Sequence, residues 1–366
     1  MTVKEICKHI ESFAPLSASL KYDNPGLQIG NDNDQVQKVF ICLDLNSETL
    51  NEALQKNANL IITHHPLIFE PLNKLNFINP KSNLIKEIIK NNINVYSAHT
   101  NLDASKQGIS FAAAKLLGLK NIKILKNYSE NLIKFTVFTP KEYTDKVLNA
   151  VFEANAGIIG DYKKCSFRTT GIGTFEPEEN ANPFVGEKKS FNEVSEEKLE
   201  FIAYRWDVNN ILNAIYNNHP YEEPAIDIIP LNNDNLNYGF GVLGEFEKEL
   251  SFDEFANLLI DKLKLANFRY TQGQSKNIKK IAYCGGSGSD LLKDAIQNNC
   301  DAFVTADVKY HSFQDAENIL YLIDAGHYET EFPGVIYLYD LLKNNFESKI
   351  QIYLSNKSTN PIKFYK

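Results

Sequence analysis

Short β-branched, apolar runs alternate with segments of helical periodicity at both ends of this chain, and that alternation constrains the fold more than any other feature. Residues 3–13 carry apolar side chains at helical spacing, 39–43 form a β-branched run ending at Asp44, and 50–55 continue as helix. A short apolar strand (NLIIT) is expected over 59–63, a helix over 83–91, a strand over 94–98 and a helix over 109–117. The last third repeats the texture, with helices over 251–265, 290–298 and 334–344 and strands over 278–283, 302–305 and 319–323. Strands separated by helices of about ten to fifteen residues indicate βαβ units and a largely parallel sheet.

The middle of the chain reads differently. Strands are expected over 132–139, 198–204 and 225–230, helices over 141–156 and 207–217, and the polar stretch 171–197 conceals one further strand. The order β-α-β-β-α-β is that of a ferredoxin-like fold. Polar residues 126–131 and the Asn-rich 231–237 make natural boundaries. The expected organisation is therefore an α/β region formed by 1–126 and 235–366, interrupted by an α+β domain over 127–234. A length of 366 residues accommodates two or three domains.

Composition narrows the partners. The net charge is −8, and Arg168, Arg205 and Arg269 are the only arginines, so neither a broad nucleic-acid surface nor an anionic membrane surface is expected. No apolar run approaches the ~18 residues of a membrane span. The charged start of the sequence lacks the apolar core of a signal peptide. Five scattered cysteines (Cys7, Cys42, Cys165, Cys284, Cys300) form no CxxC pair and no disulfide framework. A cytoplasmic location follows as the expectation.

The histidines carry most of the chemical information. His64 and His65 directly follow the NLIIT strand, His99 and Asp103 follow the next strand, and His327 and Glu331 follow the strand over 319–323. If Gly326 opens a helix, His327 and Glu331 stand at i and i+4 on one face, while Glu329 points away. Each group lies just beyond the carboxyl end of an expected strand, the edge at which parallel α/β sheets bind ligands. Imidazoles and carboxylates converging there make an N,O donor set for zinc first, and also for manganese, iron or nickel. Five ligands exceed what one closed tetrahedral zinc needs, which points to two divalent ions per chain.

Other features leave alternatives open. His311 follows the strand over 302–305, either as a general acid/base or substrate contact, or as a local partner in a helix capped by Asp307. Gly285-Gly286-Ser287-Gly288-Ser289 is either a tight βα connection or an anion contact, and it lacks the Lys of a P-loop. Tyr238-Gly239-Phe240-Gly241-Val242-Leu243-Gly244 reads as a Gly-spaced turn, and His9 as a surface residue. Neither a Gly-x-Ser-x-Gly elbow nor a thiol nucleophile is indicated.

Taken together, these motifs resemble the GTP cyclohydrolase I type 2 homologs, the NIF-three-like family. The matching residues are Asp23-Asn24-Pro25-Gly26-Leu27, Thr63-His64-His65-Pro66, Ala98-His99-Thr100-Asn101-Leu102-Asp103, Asp307-Val308-Lys309-Tyr310-His311 and Gly326-His327-Tyr328-Glu329-Thr330-Glu331. Pro25 departs from the Val usual in the first motif. The resemblance implies dinuclear metal ligands at His64, His65, Asp103, His327 and Glu331, in agreement with their strand-end placement. The middle segment, with Gly160-Asp161-Tyr162 and His219-Pro220-Tyr221-Glu222-Glu223-Pro224, is similar to the PII/CutA-type insert of longer bacterial members. His219 with Glu222 and Glu223 reads either as a second metal site or, with prolines at both ends, as a fixed turn. The family further implies a ring-shaped homohexamer with its metal sites facing an internal cavity.

Two functions of different class follow. One is a dinuclear-metal-dependent hydrolase acting on a nucleotide or related small molecule, with His311 or His99 handling the proton. The other is a metal-binding regulatory or scaffold protein whose PII-like insert senses a ligand or partner.

Overall fold

Sequence-local signals start four of the helices. Thr2 and Glu5 form a reciprocal capping box at the head of helix Val3–Glu11, and Ser251 and Glu254 do the same for Phe252–Leu263. Asn46 caps Ser47–Gln55, and Asn79 caps Pro80–Lys90 with Pro80 at its first position. The computed structural model describes residues 1–365. Its contacts divide the chain into one unit formed by Met1–Lys126 and the residues from Tyr238 onward, and a second formed by Asn127–Asn237.

The first unit holds two sheets where the alternation pointed to one. In spatial order the first sheet runs Gly26–Ile29, Asn94–Ser97, Leu60–Thr63, Lys38–Cys42, Gln351–Leu354. All neighbours are parallel except the antiparallel edge Gly26–Ile29. Leu60–Thr63 and Asn94–Ser97 are buried along their whole length, the mark of parallel strands covered on both faces. The second sheet runs Arg269–Thr271, Tyr321–Asp324, Ala302–Thr305, Asn277–Tyr283, Asn235–Ser251, Lys120–Tyr128. Its three central strands are parallel, and the flanking Arg269–Thr271 and Asn235–Ser251 are antiparallel to them. The halves of the sequence exchange strands: Gln351–Leu354 completes the first sheet, and Lys120–Tyr128 joins the second.

Two readings change here. Tyr238–Gly244 lies within a long strand rather than a turn, and Gly241 there takes the left-handed backbone, at φ +62, that favours glycine. His9 is half-buried rather than fully on the surface: its ring packs between Phe13 and Phe346, burial lowers its pKa, and its Nε2 is buried without a partner.

The helix expected over 334–344 begins seven residues earlier and runs His327–Phe346. It packs along Ile109–Leu116 at Gly334, where an added Cβ would fall 2.3 Å from Ile109 Cδ1 and 2.6 Å from its Cα. Only a glycine lets these helices approach so closely, and the contact fixes the rotation that points His327 and Glu331 inward.

The second unit is a four-stranded antiparallel sheet in the order Phe167–Phe175, Asn192–Tyr204, Leu132–Pro140, Ile226–Leu231. With helices Thr144–Glu153 and Val208–Asn218 between the first and second and the third and fourth strands, this is ferredoxin-like topology. Phe135 and Phe201, stacked at 5.5 Å, centre a core completed by Val147, Ile211 and Ile215. Among the described residues, no helix is long and apolar enough to cross a membrane.

Gly334→Ala tests the close helix contact. Overpacking against the Ile109 backbone is expected to cost about 1–3 kcal/mol, more than the ~1 kcal/mol of helix propensity that alanine returns. Chemical denaturation should show a lower midpoint than for the parent chain. An unchanged or higher midpoint would show that the contact is slack.

Candidate metal centre

Strand ends deliver the donors. His64 and His65 leave Leu60–Thr63, and His99 precedes the short helix Thr100–Asp103 after Asn94–Ser97. From the second sheet, Tyr321–Asp324 leads through Gly326, at φ +87, into the helix that opens with His327. The groups therefore come from the carboxyl ends of two sheets. They still converge, with ring centroids 5.0 Å apart for His64 and His65, 5.2 Å for His64 and His99, and 5.3 Å for His65 and His327.

Each ring is held at Nδ1. His64 Nδ1 lies 2.8 Å from the Ala98 carbonyl, which only accepts, so Nδ1 carries the proton and Nε2 is a bare lone pair. His65 Nδ1 stands 2.7 Å from Asp44, His99 Nδ1 2.7 Å from Asp23, and His327 Nδ1 2.6 Å from Asp307. Carboxylate–histidine pairs of this kind fix tautomer and ring orientation in metal sites. Asp307, at φ +53, also accepts from Ser287 Oγ. It orients His327 and is not the cap of the next helix, whose N-cap is Lys309.

Glu331 sits at the centre, 3% exposed. Its Oε1 is 3.0 Å from His327 Nε2 and 3.7 Å from His64 Nε2, and its Oε2 is 3.0 Å from His65 Nε2. Asp103 Oδ1 stands 3.6 Å from His64 Nε2. Gly286 leaves room for the carboxylate: at φ +65, a Cβ there would fall 2.2 Å from Glu331 Oε1. Glu329 turns away to Asn360.

The electrostatics follow from burial and these neighbours. Burial works to raise the Glu331 pKa, but its contacts with His327, His64 and His65 outweigh that and hold it well below the usual carboxylate range. Asp103 is pushed well above that range by burial and by the charge on Glu331. Burial lowers His64. Against burial, Asp44 and Glu331 raise His65 to about 10, while Glu331 takes His327 to about 9.

The donor set fits a metal. His64 Nε2 is buried and completes no hydrogen bond, and Glu331 Oε2, 3.0 Å from His65 Nε2, is buried beside it. A bare imidazole lone pair thus faces two carboxylates inside the protein, an arrangement that only a cation relieves. Ligand atoms of His64, His65 and His99 lie within 4.8 Å of one another, as do those of His65, His327 and Glu331. His65 belongs to both groups, and His99, read as a proton carrier, takes a donor's position.

His311 is not brought into this cluster by any described contact. It is exposed, its Nδ1 pairs with Gln314 at 2.9 Å, and its ring meets Tyr310. The glycine loop is not an open anion cradle, because the amides of Gly285, Gly286 and Gly288 bond Ser110, Thr330 and Thr305. The orienting role of Asp23, Asp44 and Asp307 has a signal in the sequence, since Asp44 ends a strand run and Asp23 and Asp307 open two of the motifs, but their histidine partners are distant in the chain. Two clefts adjoin the centre, one of about 290 Å³ beside His65 and Lys81 and one of about 240 Å³ beside His327 and Arg269.

Two α/β sheets whose carboxyl ends share a buried His/Glu cluster compatible with a metal site define the class of this protein. The chain belongs to the family described as Duf34/NIF3 (NGG1p interacting factor 3), whose profile matches residues 1–361. It is 34% identical over 365 residues to the GTP cyclohydrolase 1 type 2 homolog of Bacillus subtilis, covering 99% of this chain and 98% of that protein. The corresponding protein of Halalkalibacterium halodurans is 35% identical over 358 residues, covering 97% and 96%. A Bacillus cereus protein related to NIF3 superposes with a TM-score of 0.84 at 33% identity, covering 100% of this chain and 99% of that one. Staphylococcus aureus protein SA1388 gives a TM-score of 0.79 at 31% identity, with coverage of 100% and 99%.

Proton competition gives a test. Without an ion, His65 and His327 are protonated at pH 7, because their raised pKa values of about 10 and about 9 lie above it. Binding must displace those protons, so zinc affinity of the metal-free protein should rise between pH 6 and 8 by about tenfold per unit for each proton released. Competition titrations against a chelator measure this, and a flat profile would rule out these imidazoles as ligands.

Proposed function

We propose that this protein is a dinuclear-metal-dependent hydrolase that acts on a nucleotide or related small molecule. His64, His65, Asp103, His327 and Glu331 would hold two divalent ions, zinc first among them. The observation that carries the reading is the buried, unpartnered Nε2 of His64 facing the carboxylates of Asp103 and Glu331. When bound, a pair of such ions lowers the pKa of a water between them and polarises the group it attacks.

The chain's own residues supply the proton handling. Burial alone would raise Asp23, but the His99 and Thr100 contacts bring it down to about 2, so it stays ionised. With the ionised Asp23 engaging Nδ1, His99 presents Nε2 as the atom that would take up and release a proton. His311 sits apart as a second candidate for proton transfer or substrate contact. Arg269 is engaged by Asp324, which leaves Lys81 as the cation lining the cleft beside His65. Substrate phosphates would therefore be met mainly by the ions and Lys81. The relatives' name, GTP cyclohydrolase 1 type 2 homolog, makes a purine nucleotide the first substrate to try.

Assembly as a homohexamer and a cytoplasmic location belong to the same reading, the latter supported by five free cysteines. No membrane partner and no broad nucleic-acid surface are part of it. The second reading, a metal-holding regulatory or scaffold protein with a ligand-sensing insert, is favoured by a cavity of about 440 Å³ within the insert.

Elemental analysis of the purified protein should give close to two ions per chain, and a panel of nucleotides and phosphoesters should reveal turnover. His64→Ala and Glu331→Ala are expected to lose metal and at least 100-fold in kcat while the chain stays folded. Variants that lose metal yet turn over unchanged would end the hydrolase reading. His99→Ala should lower kcat more than His311→Ala, and the reverse order would exchange their roles.

A further inference from the structure

The inserted unit contains a cavity of about 440 Å³ that no part of the proposed hydrolysis uses. Its size falls among small-molecule sites, which run from about 300 to 1,000 Å³. Phe138, Phe175, Phe184 and Tyr221 give it aromatic walls, Glu176, Glu196, Glu222 and Glu223 contribute carboxylates, and no lysine or arginine lines it.

Glu196 is the unusual member. It lies on strand Asn192–Tyr204, is only 9% exposed, and has the Tyr221 hydroxyl beside it but no lysine or arginine in the cavity wall. Gly173 on the paired strand makes space for it, since a Cβ there would fall 2.1 Å from Glu196 Oε2. The Tyr221 hydroxyl is also buried, with Glu196 as its neighbour. Burial first, and then hydrogen bonding to Glu196 and the charge on Glu196, push the Tyr221 phenol above its ordinary pKa. Glu222 accepts the Asn182 amide at 2.7 Å, which ties the following loop to the same wall.

No imidazole is free to serve a metal ion here. His219, the one imidazole of the His219-Pro220-Tyr221-Glu222-Glu223-Pro224 motif, has both ring nitrogens engaged. Its Nε2 meets the Phe138 carbonyl at 2.9 Å and its Nδ1 accepts the Tyr221 amide at 3.1 Å. The motif is a fixed turn, and the metal-compatible groups found among the described residues both lie at the centre built around His65. A buried carboxylate without a counter-charge, beneath aromatic faces, instead matches an ammonium head on an apolar body. Carboxylate and ring quadrupoles both attract such a cation.

We propose that the inserted unit binds a small organic ammonium ion, with its charged head between Glu196 and Tyr221 and its apolar body against Phe138, Phe175 and Phe184. This site stands independently of the metal centre. Calorimetric titration of the full chain with benzylamine, protonated at pH 7, and with its neutral isostere benzyl alcohol tests the proposal. Benzylamine should bind about tenfold or more tightly than the alcohol. In Glu196→Gln that preference should fall to within about twofold, with metal content and unfolding midpoint unchanged. Equal affinity of the two compounds for the parent chain, binding of neither, or a preference that survives in Glu196→Gln would each overturn the proposal.

Discussion

An imidazole lone pair with nowhere to go organises this protein. Because the Ala98 carbonyl claims the proton of His64 at Nδ1, its buried Nε2 is turned on Asp103 and Glu331, acceptor against acceptor. Water would relieve such a conflict at the surface, but inside the protein only positive charge does so. In the ion-free chain protons serve: His65 and His327 hold theirs strongly, Glu331 stays charged, and Asp103 is driven toward neutrality. Asp23, Asp44 and Asp307 aim the other three rings. The close approaches at Gly286 and Gly334 admit the Glu331 carboxylate and the helix that carries it. Packing and electrostatics are one requirement here.

Much of this was legible because donor positions and strand ends coincide in the sequence. His64-His65, His99 with Asp103, and His327 with Glu331 each follow a run whose apolar pattern marks a strand. The i, i+4 spacing of the last pair anticipated its shared face. The β-α-β-β-α-β order likewise announced the insert. Illegible features were those fixed by distant partners. Gly26–Ile29, Arg269–Thr271 and Gln351–Leu354 are too short to show alternation, and Gln351–Leu354 pairs with Lys38–Cys42 from the other end of the chain. Hence two sheets looked like one. An Asp beside a strand or motif reads equally well as a cap, so the orienting role of Asp307 emerged only when His327 stood next to it.

The insert shows a division of labour by chemistry. Its core is that of a self-sufficient ferredoxin-like unit, built on Phe135, Phe201 and the two helices packed over them. The turn before its last strand is locked separately, by His219 through both ring nitrogens. Function on such a scaffold resides in the residues grafted there and not in the topology.

The exchange of strands bears on how the molecule comes into being. Ribosomes deliver the N-terminal end first, and domains generally fold as units when they are complete. Here the first sheet lacks its edge until Gln351–Leu354 has been made, and the centre lacks His327 and Glu331 until nearly nine-tenths of the chain exists. The insert, continuous from Asn127 to Asn237, has all its strands long before that. A nascent chain therefore carries a finished middle between unfinished ends. Truncation before Gln351 would remove a structural edge, and truncation before His327 two of the five candidate ligands as well, from a chain whose first 126 residues are intact.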